Sequence, residues 1–153
     1  MPIELDKLSQ ARIEKKLDDF TKKISNKENI EVACQLVADN IKLRTRQGLD
    51  EDLQAFAPYN AKYAEEKGKT TVDLTDTGSM LKSISKRAIS SNEGIIYFAT
   101  ERDQRIANKH QNIGVGKRQI KRKFFGISKI DTEMVKTKYL SMLKNAAREF
   151  NNG

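Results

Sequence analysis

His110 is the one histidine in a chain of 153 residues, and that count removes the commonest acid–base and metal chemistry at once. A histidine metal cluster cannot be built, and a lone imidazole acting as general acid or base needs a carboxylate partner that the local spacing does not indicate. His110 therefore reads as a residue that orders its loop. Asp50, Glu51 and Asp52 are consecutive carboxylates, whereas a calcium loop needs oxygen ligands at alternating positions closed by a glutamate; they read as a solvated turn. The run Gly114-Val115-Gly116-Lys117-Arg118 has the glycines and lysine of a phosphate cradle. It lacks the longer spacer, the hydroxyl after the lysine and the preceding buried strand. Cys34, the single cysteine, cannot close an internal disulfide and sits in an apolar run as a small buried side chain. No catalytic residue, cofactor site or metal site is expected.

What remains is charge. Lys117, Arg118, Lys121, Arg122 and Lys123 put five cations into seven residues. Clustered cations cannot be buried without matching negative charge, so they are expected to face water, an acidic neighbour or DNA. Of the net +8, the segment 102–123 holds +7, with eight basic groups and one acidic, while residues 48–101 are net −3. The basic segment is thus the electrostatic handle of the chain. Arg44, Arg46 and Arg105 join it as candidates for an interface. Phe124 and Phe125 follow the cations; a paired phenylalanine before Gly126-Ile127 is expected to lock the loop to a core, though its rings could also stack on bases.

These groups need elements to carry them. Charged residues make up 33% and hydrophobic ones 37%, without tryptophan, which suits a folded chain with a lean core. The length fits a single domain over residues 1–153. Without a long apolar block near the start, neither a signal peptide nor a membrane span is expected. Ile13, Leu17, Phe20 and Ile24 recur at helical spacing and predict a helix over 5–25; Ile30, Ala33, Val37 and Ile41 predict a second to about residue 46, paired antiparallel with the first. A short helix over 61–67 ends at Gly68, and Thr77 is the expected N-cap of a turn burying Met80, Leu81 and Ile84. Residues 84–90 and 95–100 around Asn92-Glu93-Gly94 read as a hairpin. A short helix over 104–110 should give way to an extended basic loop. Ser128 or Asp131 caps a last helix with Val135, Tyr139, Met142, Ala146 and Phe150 on one face. The fold class is α+β: long helices at both ends around a small, mainly antiparallel sheet.

The stretch 44–59, RTRQGLDEDLQAFAPY, packs a basic helix end, a glycine stop, an acidic turn and an aromatic-proline-aromatic cluster into sixteen residues. Gly48 suits the left-handed position that closes a helix, and Arg44 and Arg46 sit where the macrodipole favours cations. Ala57-Pro58 fixes an extended path that should insert both Phe56 and Tyr59 into one apolar seam.

Four blocks together resemble the phage virion morphogenesis family of Mu-type tailed phages: 41–59 (IKLRTRQGLDEDLQAFAPY), 72–84 (VDLTDTGSMLKSI), 106–114 (IANKHQNIG) and 123–128 (KFFGIS). They fall in the family's order from Ile41 to about Asp131. The chain departs from the family where Leu53 replaces a usual glycine, Ala55 a usual proline, and Lys123 a frequent acid. The resemblance implies a non-enzymatic structural protein of the virion, acting in tail completion or head–tail joining at the neck. It implies a ring-like homo-oligomer whose partners are other neck or tail proteins and, in passing, the DNA, made in the host cytoplasm and carried in the virion. The alternative from the residues themselves is a nucleic-acid-binding protein that uses the basic 102–123 loop.

Overall fold

Asn26 starts the helix around which the molecule is arranged. Its extended backbone (φ −147°) turns the side-chain oxygen to accept the Asn29 N–H at 2.8 Å, capping one of the orphan amides of the following turn. The elements run α1 (Lys7–Ile24), α2 (Lys27–Arg46), α3 (Ala61–Lys67), α4 (Ser79–Lys82), β1 (Ile84–Ala88), β2 (Gly94–Phe98), α5 (Glu101–Asn108), a π-helical turn (Lys109–Ile113) and α6 (Lys129–Asn152). The structure, a computed structural model, describes residues 7–152. Leu5 and Asp6 of the expected first helix, and the side chain of Ile13, lie outside the described residues. The fold is α+β, with helices at both ends packed on a two-stranded antiparallel sheet. Among the described residues no helix is long and apolar enough to cross a membrane.

The end of α2 follows the sequence closely. Gly48 takes a φ of 82°, its N–H donates to the Thr45 carbonyl at 3.0 Å, and the Leu49 N–H donates to the Arg44 carbonyl at 2.9 Å, which is a Schellman closure. The acidic turn follows. Asp50 Oδ1 accepts the Asp52 and Gln54 N–H groups at 2.9 and 2.8 Å. Leu53, where glycine is usual in the resembled family, still makes this turn by adopting a left-handed φ of 62°. Further on, α3 runs from the Asn60 cap to Gly68, as expected.

β1 and β2 pair from Ile84↔Phe98 to Ala88↔Gly94, and α2 lies across them. Gly94 makes that approach possible, since a Cβ there would stand 2.5 Å from Cys34 Sγ and 2.8 Å from Ile30 Cγ2. Cys34 is half-buried in this contact, and burial pushes its thiol pKa up, away from nucleophilic use. The core collects Val37, Ala38 and Ile41 of α2, Phe56, Val72, Leu74, Met80, Leu81, Ile84, Ala107 and Phe124.

α1 does not form the expected antiparallel pair with α2. It packs antiparallel on α6 instead, with the Phe20 and Phe150 rings edge-on at 5.8 Å, Lys23 paired with Glu149, and Ile24 beside Tyr139, Leu140 and Leu143. The reason is competition for one face: Val37 and Ile41 of α2 are taken by the hairpin and the core loops, so the stripe of α1 finds α6. That stripe of α6 is as predicted, with Ala146 buried and Val135, Tyr139, Met142 and Phe150 half-buried. Thr77 stands one residue before the cap position: Gly78 (φ 76°) caps α4, and Thr77 Oγ1 accepts the Ser79 N–H at 3.3 Å. α5 starts earlier than predicted, because Thr100 caps it through the Asp103 N–H at 3.1 Å. Asp103 in turn accepts from Ser79 Oγ at 3.0 Å and so ties α5 to α4.

Arg44 is a correction. Expected at an interface, it is 2% exposed and faces inward. Its Nη1 meets Asp131 Oδ2 at 2.7 Å, and its Nη2 donates to the carbonyls of Phe124 (3.1 Å) and Gly126; only Nε lacks a partner. Asp131, fully buried, also accepts from Asn40 Nδ2 at 2.6 Å and from the Ser128 N–H at 2.7 Å. Ser128 Oγ accepts the Asp131 N–H at 3.1 Å, so both residues expected to cap α6 do so reciprocally. The helix macrodipole favours a cation at this end, but the buried Asp131 carboxylate, 87 residues away, is what draws Arg44 inward.

Arg44→Met should lower the unfolding free energy by about 3–5 kcal/mol in urea titration, because Asp131 is left buried without its cation. The double variant with Asp131→Asn should lose less than the single one; equal or larger loss would show that the charge is not the cause. At the acidic turn, Leu53→Gly should stabilise by up to about 1 kcal/mol, since glycine adopts the left-handed region freely. A lower melting temperature for that variant would mean that the half-buried leucine side chain outweighs its backbone strain.

Candidate interaction site

The basic segment is not extended. After the π-helical turn it doubles back as a miniature hairpin, with the Val115 and Ile120 N–H and carbonyl groups exchanged at 3.0 and 3.1 Å and positive φ at Gly114, Gly116 and Gln119. Gly114 (φ 102°) is required here: a Cβ would run into the Gln119 backbone. Gln111, which the sequence did not single out, clamps the far end; it accepts the Phe125 N–H at 3.0 Å and donates to the Phe125 carbonyl at 3.3 Å. Phe124 is fully buried and Phe125 half-buried, the latter 4.7 Å from the Phe98 ring. Both rings join the loop to the core, and Phe124 has no exposed face for a base. Ile127, two residues on, is exposed, because the chain turns at Gly126 to give its carbonyl to Arg44.

Of the candidate cations, Arg46, Arg105, Lys117, Arg118, Lys121 and Lys123 are exposed, and Arg105 makes only a surface pair with Glu101 at 3.7 Å. Arg122 breaks the expectation. It is 6% exposed, and its Nε and Nη2 donate to the Ala57 carbonyl at 3.2 and 3.0 Å. The guanidinium lies 5.4 Å from the Tyr59 ring centroid, and the backbone N–H of Arg122 donates to the His110 carbonyl at 2.7 Å. Carbonyl oxygens and a π face take the place that the sequence argument reserved for a carboxylate. Burial pulls its pKa down, and Tyr59 and Tyr63 offset part of that.

Arg122 thereby fastens the 56–59 stretch to the basic hairpin. Phe56 reaches the core, 7% exposed, whereas Tyr59 stays half-buried at its edge, so the two rings do not share one seam to equal depth. Tyr59 meets Tyr63 edge-on at 4.9 Å, and Lys67 sits 5.0 Å from the Tyr59 ring centroid and 3.1 Å from its hydroxyl. Lys67 also reaches Asp73 at 3.3 Å. Burial would raise the Asp73 carboxyl, but hydrogen bonds from Thr75, and then from Lys69 and Lys67, hold it well below the usual carboxylate range.

Between these walls lies a cleft of about 710 Å³, lined among others by Tyr59, Tyr63, His110, Lys117, Arg118 and Arg122, and among the described residues by no acidic side chain. His110 is half-buried with Nδ1 unpaired. Its pKa is lowered by burial first, then by Arg122 and Lys67. No group of histidine, cysteine and carboxylate side chains capable of holding a metal occurs among the described residues. The arrangement offers positive charge beside aromatic surface, which is recognition chemistry. Comparison with protein families, curated proteins and solved structures found no match to this chain.

Because the folded imidazole pKa lies below its ordinary 6.5, the unfolded chain binds more protons in the window beneath that value. The stability that neutral His110 provides is complete above pH 6.5 and declines as pH falls toward the folded pKa. His110→Gln should flatten this limb in melting curves taken on either side of that value. Parallel limbs for the two proteins would assign the decline to another group; the Asp73 contribution is lost only below 3.8.

Proposed function

We propose that this chain is a non-enzymatic structural protein of a tailed-phage virion, acting in tail completion or head–tail joining at the neck as one copy of a symmetric ring. One observation carries the reading. The four blocks that resemble the virion morphogenesis family are the segments that pack on one another: Ile41 and Phe56 from the first, Val72, Leu74, Met80, Leu81 and Ile84 from the second, Ala107 from the third and Phe124 from the fourth meet in one core. Arg44 of the first block also binds carbonyls of the last. A resemblance spread over separate stretches is worth more when those stretches meet in space, since a shared pattern then describes a shared packing problem.

The surface agrees with life in an assembly. Ile127, Ile130, Leu140 and Leu143 are exposed along and beside α6, and Leu36, Ile130 and Met134 line a shallow groove between α2 and α6. A closed ring joins two different, mutually complementary faces of each copy, and this apolar side is one surface available for such a joint. The exposed Lys117, Arg118, Lys121 and Lys123 also favour the second reading, nucleic-acid binding; a steeply salt-dependent gel shift by the monomer would support it.

Particles assembled without this protein should accumulate as full heads apart from tails, or carry tails of aberrant length, in negative-stain images. Normal infectious virions formed in its absence would overturn the assembly role.

A further inference from the structure

We propose that the cleft between α3 and the 115–120 hairpin receives a carboxylate-bearing segment of a partner protein. The inference rests on the assembly reading only in taking the occupant to be protein. Its ground is a charge without a counter-charge. Arg122 is buried, lines the cleft, and has no carboxylate within ion-pair distance among the described residues. Its Nε and Nη2 are held by carbonyls, and Nη1 makes no hydrogen bond among the described residues. A buried cation in a native fold is normally paired. Here the missing anion has a place to come from, because the same cleft is bordered by exposed Lys117 and Arg118 and, among the described residues, by no acidic side chain to oppose an incoming carboxylate.

The geometry selects among anions. A nucleic-acid backbone repeats its phosphates and needs a track of cations, yet Lys121 and Lys123 do not line the cleft. Only three cations line the cleft among the described residues, Arg122 buried and Lys117 and Arg118 exposed, which suits a single anionic group better than a repeating backbone. The remaining walls, Pro58, Tyr59, Tyr63, Val115 and Ile120, are aromatic and apolar and would hold side chains flanking that carboxylate. The Ala57 carbonyl already holds the guanidinium in place, so its Nη1 needs little reordering to meet a carboxylate.

The test is fluorescence anisotropy on the isolated protein with a dye-labelled peptide of alternating aspartate and leucine. Wild type should bind it, and Lys117→Ser with Arg118→Ser should weaken binding by at least about tenfold. Lys121→Ser with Lys123→Ser removes the same charge outside the cleft and should cost less than about threefold. Tyr63→Ala should weaken binding without loss of charge, and melting curves of all variants should match wild type. Equal losses for the two lysine–arginine and lysine–lysine pairs, or no binding by wild type, would overturn the proposal. So would oligothymidylate of equal charge binding more tightly and losing that affinity with Lys117 and Arg118, which would make the cleft a nucleic-acid site. The measurement needs no particles: a failure here leaves the joining assay intact, and a failure of joining leaves this binding curve unchanged.

Discussion

A guanidinium removed from water must find its hydrogen bonds inside the protein, and the position of Arg44 obliges three separate parts of the chain to supply them. α2 delivers the cation, the turn after Phe124 delivers two carbonyls, and the first turn of α6 delivers Asp131. None of the three can shift without stranding a charge, so the interaction works as a geometric constraint more than as a source of energy. From it follow the seating of Phe124 in the core, the outward turn of Ile127 and the direction in which α6 leaves the body of the fold. That direction brings α6 back alongside α1.

Arg122 repeats the device at the edge of the molecule with different chemistry. Where Arg44 has a carboxylate, Arg122 has the Ala57 carbonyl and the face of Tyr59. The first is closed on all sides; the second remains open to a cleft. One arginine is sealed within the fold, and the other sits at its edge beside a cleft.

How far the sequence could be read depended on the range of the interaction. Local rules were sufficient for the Gly48 closure, for α3 between Asn60 and Gly68, for the 84–98 hairpin and for the apolar stripe of α6, because each is decided within one or two turns of chain. The Ser128–Asp131 cap was visible for the same reason. Pairing of α1 with α6 was not, since two amphipathic stripes do not say which third stripe they will meet. The fates of Arg44 and Arg122 were hidden most deeply: a cation in a sequence looks solvent-bound until its distant partners are known. Leu53 shows the converse. A residue that lowers the chance of a left-handed turn did not prevent it, because the Asp50 carboxylate holds that turn from both sides.

The separation of Arg44 from Asp131 by 87 residues has a consequence for how the protein is made. While the ribosome is still adding residues between them, α2 and the hairpin can associate, but the cation at the end of α2 has nowhere dry to go. The early half of the chain must keep that end hydrated and its apolar neighbours loosely covered until Asp131 has emerged from the exit tunnel. The core around Ile41 and Phe56 therefore cannot close until Phe124 and Asp131 have been made.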